Sequence, residues 1–338
     1  MRRSAAGLLG IVLCAAGAFA ADPVALRMEN FTVTPSTGPL VFVEVKNLQK
    51  QPYRGTISVS PPGGWRIAPA RREIALSPGE VQRVAFAIEK GRNMPGNSYP
   101  IKVTAVGAGV TVTRRQNVVV ASAPYFKPTI DGEVSDWKEA IPVKFETAGK
   151  KTIISTYWNR RGFSILVAVE EDELVARADA VQFALSPADA KTGTSTDDEG
   201  MRFEFLLTTG SQGKASCFQL ATPGMKLAEV ARARSLGPLK YEDAQIAVSR
   251  RDGVTFYECS LPFGPMRKLI RPSEGREFCL SVLVHDPDGT GLRDWGRAAG
   301  LWPCRRNRLA WSRWAGAKWP DDPPFDNKIE WGLCSSQY

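Results

Sequence analysis

The chain carries its apolar residues in short bursts rather than in helical stripes. From Asp22 to about Ala123 the bursts read LVFVEVKN, GTISVSP, REIALSPGE, VQRVAFAIEK, YPIKVTAV and VTVTRRQNVVV. Apolar and polar positions alternate in them, which puts one set of side chains on one face of a half-buried strand. Turn formers separate them: Pro35-Ser36-Thr37-Gly38, Pro61-Pro62-Gly63-Gly64, Ser77-Pro78-Gly79 and Pro95-Gly96-Asn97. Six or seven short strands closed in this way predict a β-sandwich over residues 21–123.

After the connector ASAPYFKP (121–128) the rhythm resumes with TIISTYW, FSILVAVEED, DAVQFALSP, MRFEFLLTT, SCFQLAT, AQIAVSRR, VTFYECSLPF, REFCLSVLVHD and KIEWGLC. About nine strands over residues 124–338 predict a second, larger sandwich of jelly-roll type. Helical patterning is confined to stretches such as GMKLAEVARAR (224–234). The fold class is all-β, with two β-sandwich domains. In the first, GGWRI and LSPGEVQRVAFAI resemble immunoglobulin-like modules, a resemblance that implies an immunoglobulin-like sandwich with Trp65 and Leu76 in its core.

The first twenty residues follow another logic. Arg2 and Arg3 precede the apolar run GLLGIVLCAAGAFA, which closes on the A-x-A pattern Ala18-Phe19-Ala20. That is the form of a secretory signal peptide. It implies a secreted, periplasmic or extracellular product, and no later run reaches the ~18 apolar residues of a membrane helix. Charge is uneven in the remainder. Residues 21–123 hold 13 Lys/Arg against 6 Asp/Glu, whereas residues 124–338 hold 29 of each. The basic balance therefore belongs to the first sandwich, where it serves solubility or attracts anionic glycans. Without Cys14 of the leader, Cys217, Cys259, Cys279, Cys304 and Cys334 remain. In an oxidising compartment these predict two disulfides and one thiol, with the pairing open. Their spacing and the lone histidine, His285, exclude a zinc pattern.

The stretch PTIDGEVSDWKEAIPV (128–143) marks a second beginning inside the chain. It resembles the start of family 9 carbohydrate-binding modules, which open on I-D-G, an acidic spacer and Trp. TYWNRRGFSILVAVEEDE, DAVQFALSP, VTFYECSLPFGPM and EGREFCLSVLVHDPDGTGLRDW resemble further motifs of that family, in the same order, over residues 128–332. The resemblance implies a sandwich that binds sugar without chemistry, holding a glycan end between two tryptophans, often with structural calcium. Carried over by position, it implies sugar contacts by Trp319, Gln182 and Asp179. The position of the second clamp tryptophan is held by Ala176, so one wall of the clamp is missing. Aromatic faces suit the C–H faces of sugars, and amide or carboxylate groups suit their hydroxyls.

Residues 293–319 hold five tryptophans (295, 302, 311, 314 and 319) among seven Lys/Arg and one Asp. Trp302, Trp314 and Arg293 are therefore added as binding residues on an exposed platform suited to an acidic sugar. Trp137, Trp158 and Trp331 are read as core. The pair Asp286 and Asp288 sits in a tight turn of the kind calcium loops use, although Asp side-chain-to-backbone bonds explain it equally. The acidic runs 170–173 and 197–199 are read as solvated, and His285 has no nucleophile motif to serve. No catalytic residue is expected, and no nucleic-acid motif accompanies the interleaved Arg and Trp. Two rivals to sugar capture stay open. One is a haem or redox domain using His285, Met201 or Met225 as axial ligands; the other is a structural surface-assembly component.

Overall fold

The computed structural model describes residues 22–188, 200–226, 229 and 235–295, together with the backbone of 307–311. Its regular structure is almost wholly strand. The first eight are β1 (Val24–Met28), β2 (Leu40–Asn47), β3 (Tyr53–Ser60), β4 (Arg66–Ala68), β5 (Arg72–Leu76), β6 (Val81–Lys90), β7 (Tyr99–Gly107) and β8 (Val110–Val118). They form two antiparallel sheets, ordered β1-β2-β6-β4 and β5-β3-β7-β8. Alternation decides what lies between them: Val41, Val43 and Val45 of β2 and Ile101, Val103 and Ala105 of β7 are buried in one core. Leu76 is fully inside, while Trp65 is half-buried against Tyr99, with ring centroids 5.7 Å apart. Two strands were not apparent in the sequence pattern: β1, an edge strand whose residues are nearly all buried, and the three-residue β4.

One side chain joins this sandwich to the second half of the chain. The Asn97 amide donates to the carbonyls of Val120 (2.9 Å) and Pro142 (3.0 Å), and its oxygen accepts from the Val120 N–H (2.8 Å). Ile141, beyond the connector, still packs in the first core.

The remaining strands are β9 (Ser122–Ala123), β10 (Val143–Thr147), β11 (Lys150–Trp158), β12 (Gly162–Glu170), β13 (Ala180–Pro187), β14 (Phe203–Thr209), β15 (Ala215–Ala221), β16 (Gln245–Arg251), β17 (Val254–Pro262), β18 (Glu277–Asp286), β19 (Gly291–Asp294) and β20 (Asn307–Trp311). One sheet is ordered β10-β11-β12-β17-β16, and the facing one β15-β14-β13-β18-β20-β9, with β19 paired to β18. β9 and β20 run parallel; the named strands otherwise pair antiparallel. β12 is buried along nearly its whole length because both its faces are covered. Phe163, Ile165 and Val167 enter the core between the sheets, and Leu166 lies under a second, outer cluster.

That outer cluster explains the I-D-G…W opening. A short 3-10 turn, Val134–Trp137, lays the Trp137 ring on Tyr157, with centroids 5.1 Å apart and planes 23° off parallel. The indole N–H donates to Glu258 Oε1 (2.7 Å), and the Gly132 N–H donates to Oε2 (2.6 Å). Gly132 sits at φ +89°, which a side chain would resist. Trp137 and Trp158 are core residues, while Trp331 lies outside the described residues.

The described cysteines show no disulfide between them. Cys217 and Cys259 are free thiols facing each other in the second core, where burial and the neighbouring Cys217 push the Cys259 thiol pKa up. Cys279 is buried on β18, and no disulfide occurs among the described residues. Cys304 and Cys334 lie outside them, as do residues 1–21 and most of 224–234. No helix of the described residues is long and apolar enough to cross a membrane.

Candidate functional site

Strands β15, β14, β13 and β18 lie side by side, and their period-two alternation sends every second residue away from the core. On that outer face they line a cleft of about 590 Å3. Leu206, Phe218, Leu220 and Leu239 give it an apolar shelf, and each is half-buried. Gln182, His285, Thr208, Ser216 and Arg177 supply polar atoms.

The polar part is a chain of bonds across three strands. Arg202 Nε donates to Glu204 Oε2 (2.7 Å), the Gln182 amide N–H donates to Glu204 Oε1, and Gln182 Oε1 lies 2.9 Å from His285 Nε2. Since the Gln182 oxygen can only accept, His285 donates through Nε2 and keeps Nδ1 as an acceptor. Burial lowers the His285 pKa, so the imidazole is neutral at pH 7. The order donor, carboxylate, amide, imidazole fixes each group's direction and orients the two that face the cleft. Arg177 stands on the rim at φ +68°, a left-handed conformation, with its guanidinium donating to Ser211 Oγ (3.1 Å).

Directly behind this rim lies a second polar centre. Glu171, just after β12, Asp179, just before β13, and Asp286, the last residue of β18, bring carboxylate oxygens within 4.8 Å of one another. All three are buried. Asp286 Oδ2 accepts from Arg293 Nη2 (2.6 Å), Thr290 N (2.9 Å) and Thr290 Oγ1 (2.7 Å), and these bonds hold its pKa low although burial alone would raise it. Asp179 Oδ2 accepts from the Val175 N–H, while Oδ1 has no donor. Burial raises its pKa, and the exposed Asp288 carboxylate approaches it. No donor meets either oxygen of Glu171 in hydrogen-bonding geometry; the Arg250 guanidinium stays 3.7 Å from Oε1 and the Thr255 hydroxyl lies beside it. Burial first, then the charges of Asp179 and Asp286, push the Glu171 pKa up to about 7.

The sequence-derived residues thus fall into three groups. Gln182 lines the cleft. Asp179 and Arg293 do not reach a ligand at the surface: both are completely buried, and Arg293 donates inward to Asp286, Thr290, Thr152 and the carbonyls of Lys151 and Glu170. The exposed platform expected around 293–319 therefore loses its first arginine, and Trp295 is a core residue as well. Trp302, Trp314 and Trp319 lie outside the described residues, as do the side chain of Trp311 and the acidic run 197–199.

The Asp286 turn is built as an Asp-capped hairpin, and a Cβ at Gly289 would meet Asp286 Oδ1 at 2.5 Å. His285 lines the cleft, but Met201 is exposed and Met225 accepts from the Thr222 N–H; neither is among the described lining residues, which leaves the haem reading without a second axial ligand there. Sequence reasoning missed Phe218, Glu204 and Glu171. The alternation of SCFQLAT pointed Phe218 outward, whereas Glu171 was hidden in a run of acids that looked solvated.

Compared with protein-family models and with curated proteins, the chain matches none. Among solved structures it is similar to a family 9 carbohydrate-binding module from Caldicellulosiruptor kristjanssonii in complex with cellotriose, at 13% identity and a TM-score of 0.39, covering 61% of this chain and 98% of that one. It is also similar to the Escherichia coli chaperone DraB, at 10% identity and a TM-score of 0.23, covering 59% and 96%. A third is an Escherichia coli α2-macroglobulin fragment, at 13% identity and a TM-score of 0.23, covering 51% and 24%.

Proposed function

We propose that the protein is exported and captures a polysaccharide or glycan end without chemistry, as an accessory to glycan degradation. The observation that carries this reading is the cleft on β13, β14, β15 and β18, where an apolar shelf with the Phe218 ring lies beside oriented Gln182 and His285 side chains. A sugar ring has the same two-sidedness, with C–H faces to pack and hydroxyls that need directed partners. Arg177 on the rim suits a carboxylate-bearing sugar. Trp319, Trp302 and Trp314 are proposed as further stacking residues.

A glycan array with neutral and acidic glycans at two salt concentrations tests this. Binding that persists in high salt and falls about tenfold or more in Gln182→Ala, Phe218→Ala and Trp319→Ala is the expected result, the loss of one oriented bond or stacking surface. Binding lost with salt and unmoved by these substitutions would transfer the activity to the basic first sandwich. No binding to any glycan would overturn the reading.

A further inference from the structure

β12 runs from the turn 159–161 at one end to the loop of the cleft rim at the other, and the two ends differ in charge. Elsewhere in the second sandwich Lys150, Arg202, Lys240, Arg250, Arg251 and Arg293 each pair with an acid. Around the turn 159–161 the cations do not. Lys127, Arg160, Arg161, Arg267, Lys268 and Arg271 are exposed, and none of them pairs with an acid among the described residues. The fold gathers most of them. The Phe263 N–H donates to the Arg161 carbonyl (2.8 Å), and the Arg267 guanidinium donates to the Arg160 carbonyl while lying 5.4 Å from the Phe263 ring centroid. Lys268 lies in the one-turn helix α1 (Arg267–Ile270), which Arg271 closes. Like charges held together without acids repel one another, and an anion that joins them relieves the repulsion.

Beside this turn lies a recess of about 240 Å3, on the sheet β10-β11-β12-β17-β16 and not on the sheet that carries the cleft. Lys127 and Arg161 bring two cations to it, Asn159, Gln245 and Ser260 bring polar groups, and Asp243 brings a carboxylate. The polar groups are turned towards donation. Asn159 Oδ1 is spent on the N–H groups of Arg161 (2.7 Å) and Gly162 (3.2 Å), so its Nδ2 remains. Ser260 Oγ accepts from the Ser164 hydroxyl (3.0 Å), which leaves its own proton to give. Gly162 keeps this corner tight, since a Cβ there would run into the Leu261 carbonyl. Two cations among donors select an oxyanion, and Arg and Lys both suit phosphate oxygens. The carboxylate then selects among oxyanions. Asp243 repels a fully ionised group but accepts from a P–OH, which sulfate and an ionised carboxylate lack. A phosphomonoester keeps that proton up to its second pKa of about 6.

We propose that this recess binds the phosphate group of a phosphomonoester, with Lys127, Arg161, Asn159 and Ser260 donating to its oxygens and Asp243 accepting from its P–OH. Arg160, Arg267, Lys268 and Arg271 stand outside and raise the local concentration of the anion. A soluble phosphate ester and a phosphomonoester lipid headgroup offer the same group, and the chemistry of the recess is common to both. The site does not depend on the carbohydrate reading, because recess and cleft lie on different sheets. A failed glycan screen leaves it standing, and its own failure leaves the cleft available to sugar.

The full chain is titrated by calorimetry with sodium phosphate and with sodium sulfate at about pH 6, where phosphate carries a P–OH. Phosphate is expected to bind about tenfold or more tightly than sulfate. Arg161→Ala and Lys127→Ala each weaken phosphate binding about tenfold, whereas Lys102→Ala on the first sandwich leaves it unchanged. Asp243→Asn brings the two anions to within about threefold, because the amide no longer demands a proton from its ligand. The three substituted side chains of the site are exposed, and an unchanged melting temperature checks that each variant is folded. A second arm separates the sources, by sedimenting the protein with phosphatidylcholine vesicles that contain or lack phosphatidic acid. Co-sedimentation that needs phosphatidic acid and is lost in Arg161→Ala assigns the headgroup; phosphate binding without co-sedimentation assigns a soluble ester. Sulfate bound as tightly as phosphate, with both lost as salt rises, would mean a bare charge patch and overturn the proposal. It would equally be overturned by no binding of inorganic phosphate, or by binding that Arg161→Ala and Lys127→Ala leave unmoved.

Discussion

Two glutamates of neighbouring strands, both buried and carrying raised pKa values, have been treated in opposite ways by the fold. Glu258, on β17, is completely enclosed yet receives the Trp137 indole N–H and the Gly132 N–H, one on each oxygen. Glu171, at the end of β12, is as deeply placed and receives neither a backbone nor a side-chain hydrogen bond of good geometry. Burial is the first cause of the raised pKa in both. Two donors of good geometry pull Glu258 back against burial and the charges of Asp131 and Asp136, whereas at Glu171 the Thr255 hydroxyl and the Arg250 charge only partly offset burial and the charges of Asp179 and Asp286. A buried carboxylate with its donors in place is a structural tie. One crowded by two other carboxylates, with a guanidinium no nearer than 3.7 Å, is held against its own charge.

This contrast can be broken at either end. The largest effect is expected from Glu258→Ala, which orphans two buried donors and unseats the opening turn; a loss of about 3 kcal/mol in urea denaturation is predicted. A loss below about 1 kcal/mol would show that the Gly132 and Trp137 bonds are replaced by water. Trp137→Phe keeps the stack on Tyr157 but removes one donor, and should cost about 1–2 kcal/mol by the same measurement. At the other carboxylate the sign reverses. Glu171→Gln should stabilise the chain by about 1 kcal/mol, since a buried charge crowded by two other carboxylates is removed at the cost of only a 3.7 Å ion pair. Destabilisation of similar size would mean that Glu171 had a donor after all.

The smallest effect concerns His285, the only histidine of the chain. Its folded pKa lies below the ordinary value of about 6.5. The folded state therefore favours the neutral ring, and the associated stability is present above pH 6.5 and lost as pH falls through the lower folded value. Glu171 titrates with the opposite sign, its neutral form being favoured up to about pH 7. The His285 term is best isolated by comparing Glu171→Gln with the double variant Glu171→Gln, His285→Gln in urea between pH 7 and 5. The double variant should lose the decline by less than about 1 kcal/mol, and unchanged slopes would show that His285 is solvated in the cleft.

Much of the architecture was legible because it is local. Alternation located most strands, and D-P-D-G marked the turn that Asp286 indeed caps. What escaped was decided by distance along the chain. Glu171 stands among Glu170, Asp172 and Glu173, and only the pairing of β12 with β17 and the approach of β13 and β18 make it buried while Asp172 and Glu173 stay exposed. Arg293 failed for the same reason. An arginine beside tryptophans reads as surface, but Asp286, seven residues earlier, turns back across the β18–β19 hairpin to bind it. Gln182 was found because the family resemblance carries a sugar contact to its position, whereas its partners Glu204 and His285 became visible only once three strands lay side by side.

Asn97, finally, has a mechanical consequence. A single side chain grips the carbonyls of Val120 and Pro142, so the segment between them begins and ends at one point on the first sandwich. The connector is therefore a pinned loop and not a tether. A ligand of the second sandwich would be presented at a set distance from the first, with an effective concentration fixed by geometry instead of being averaged over a flexible chain.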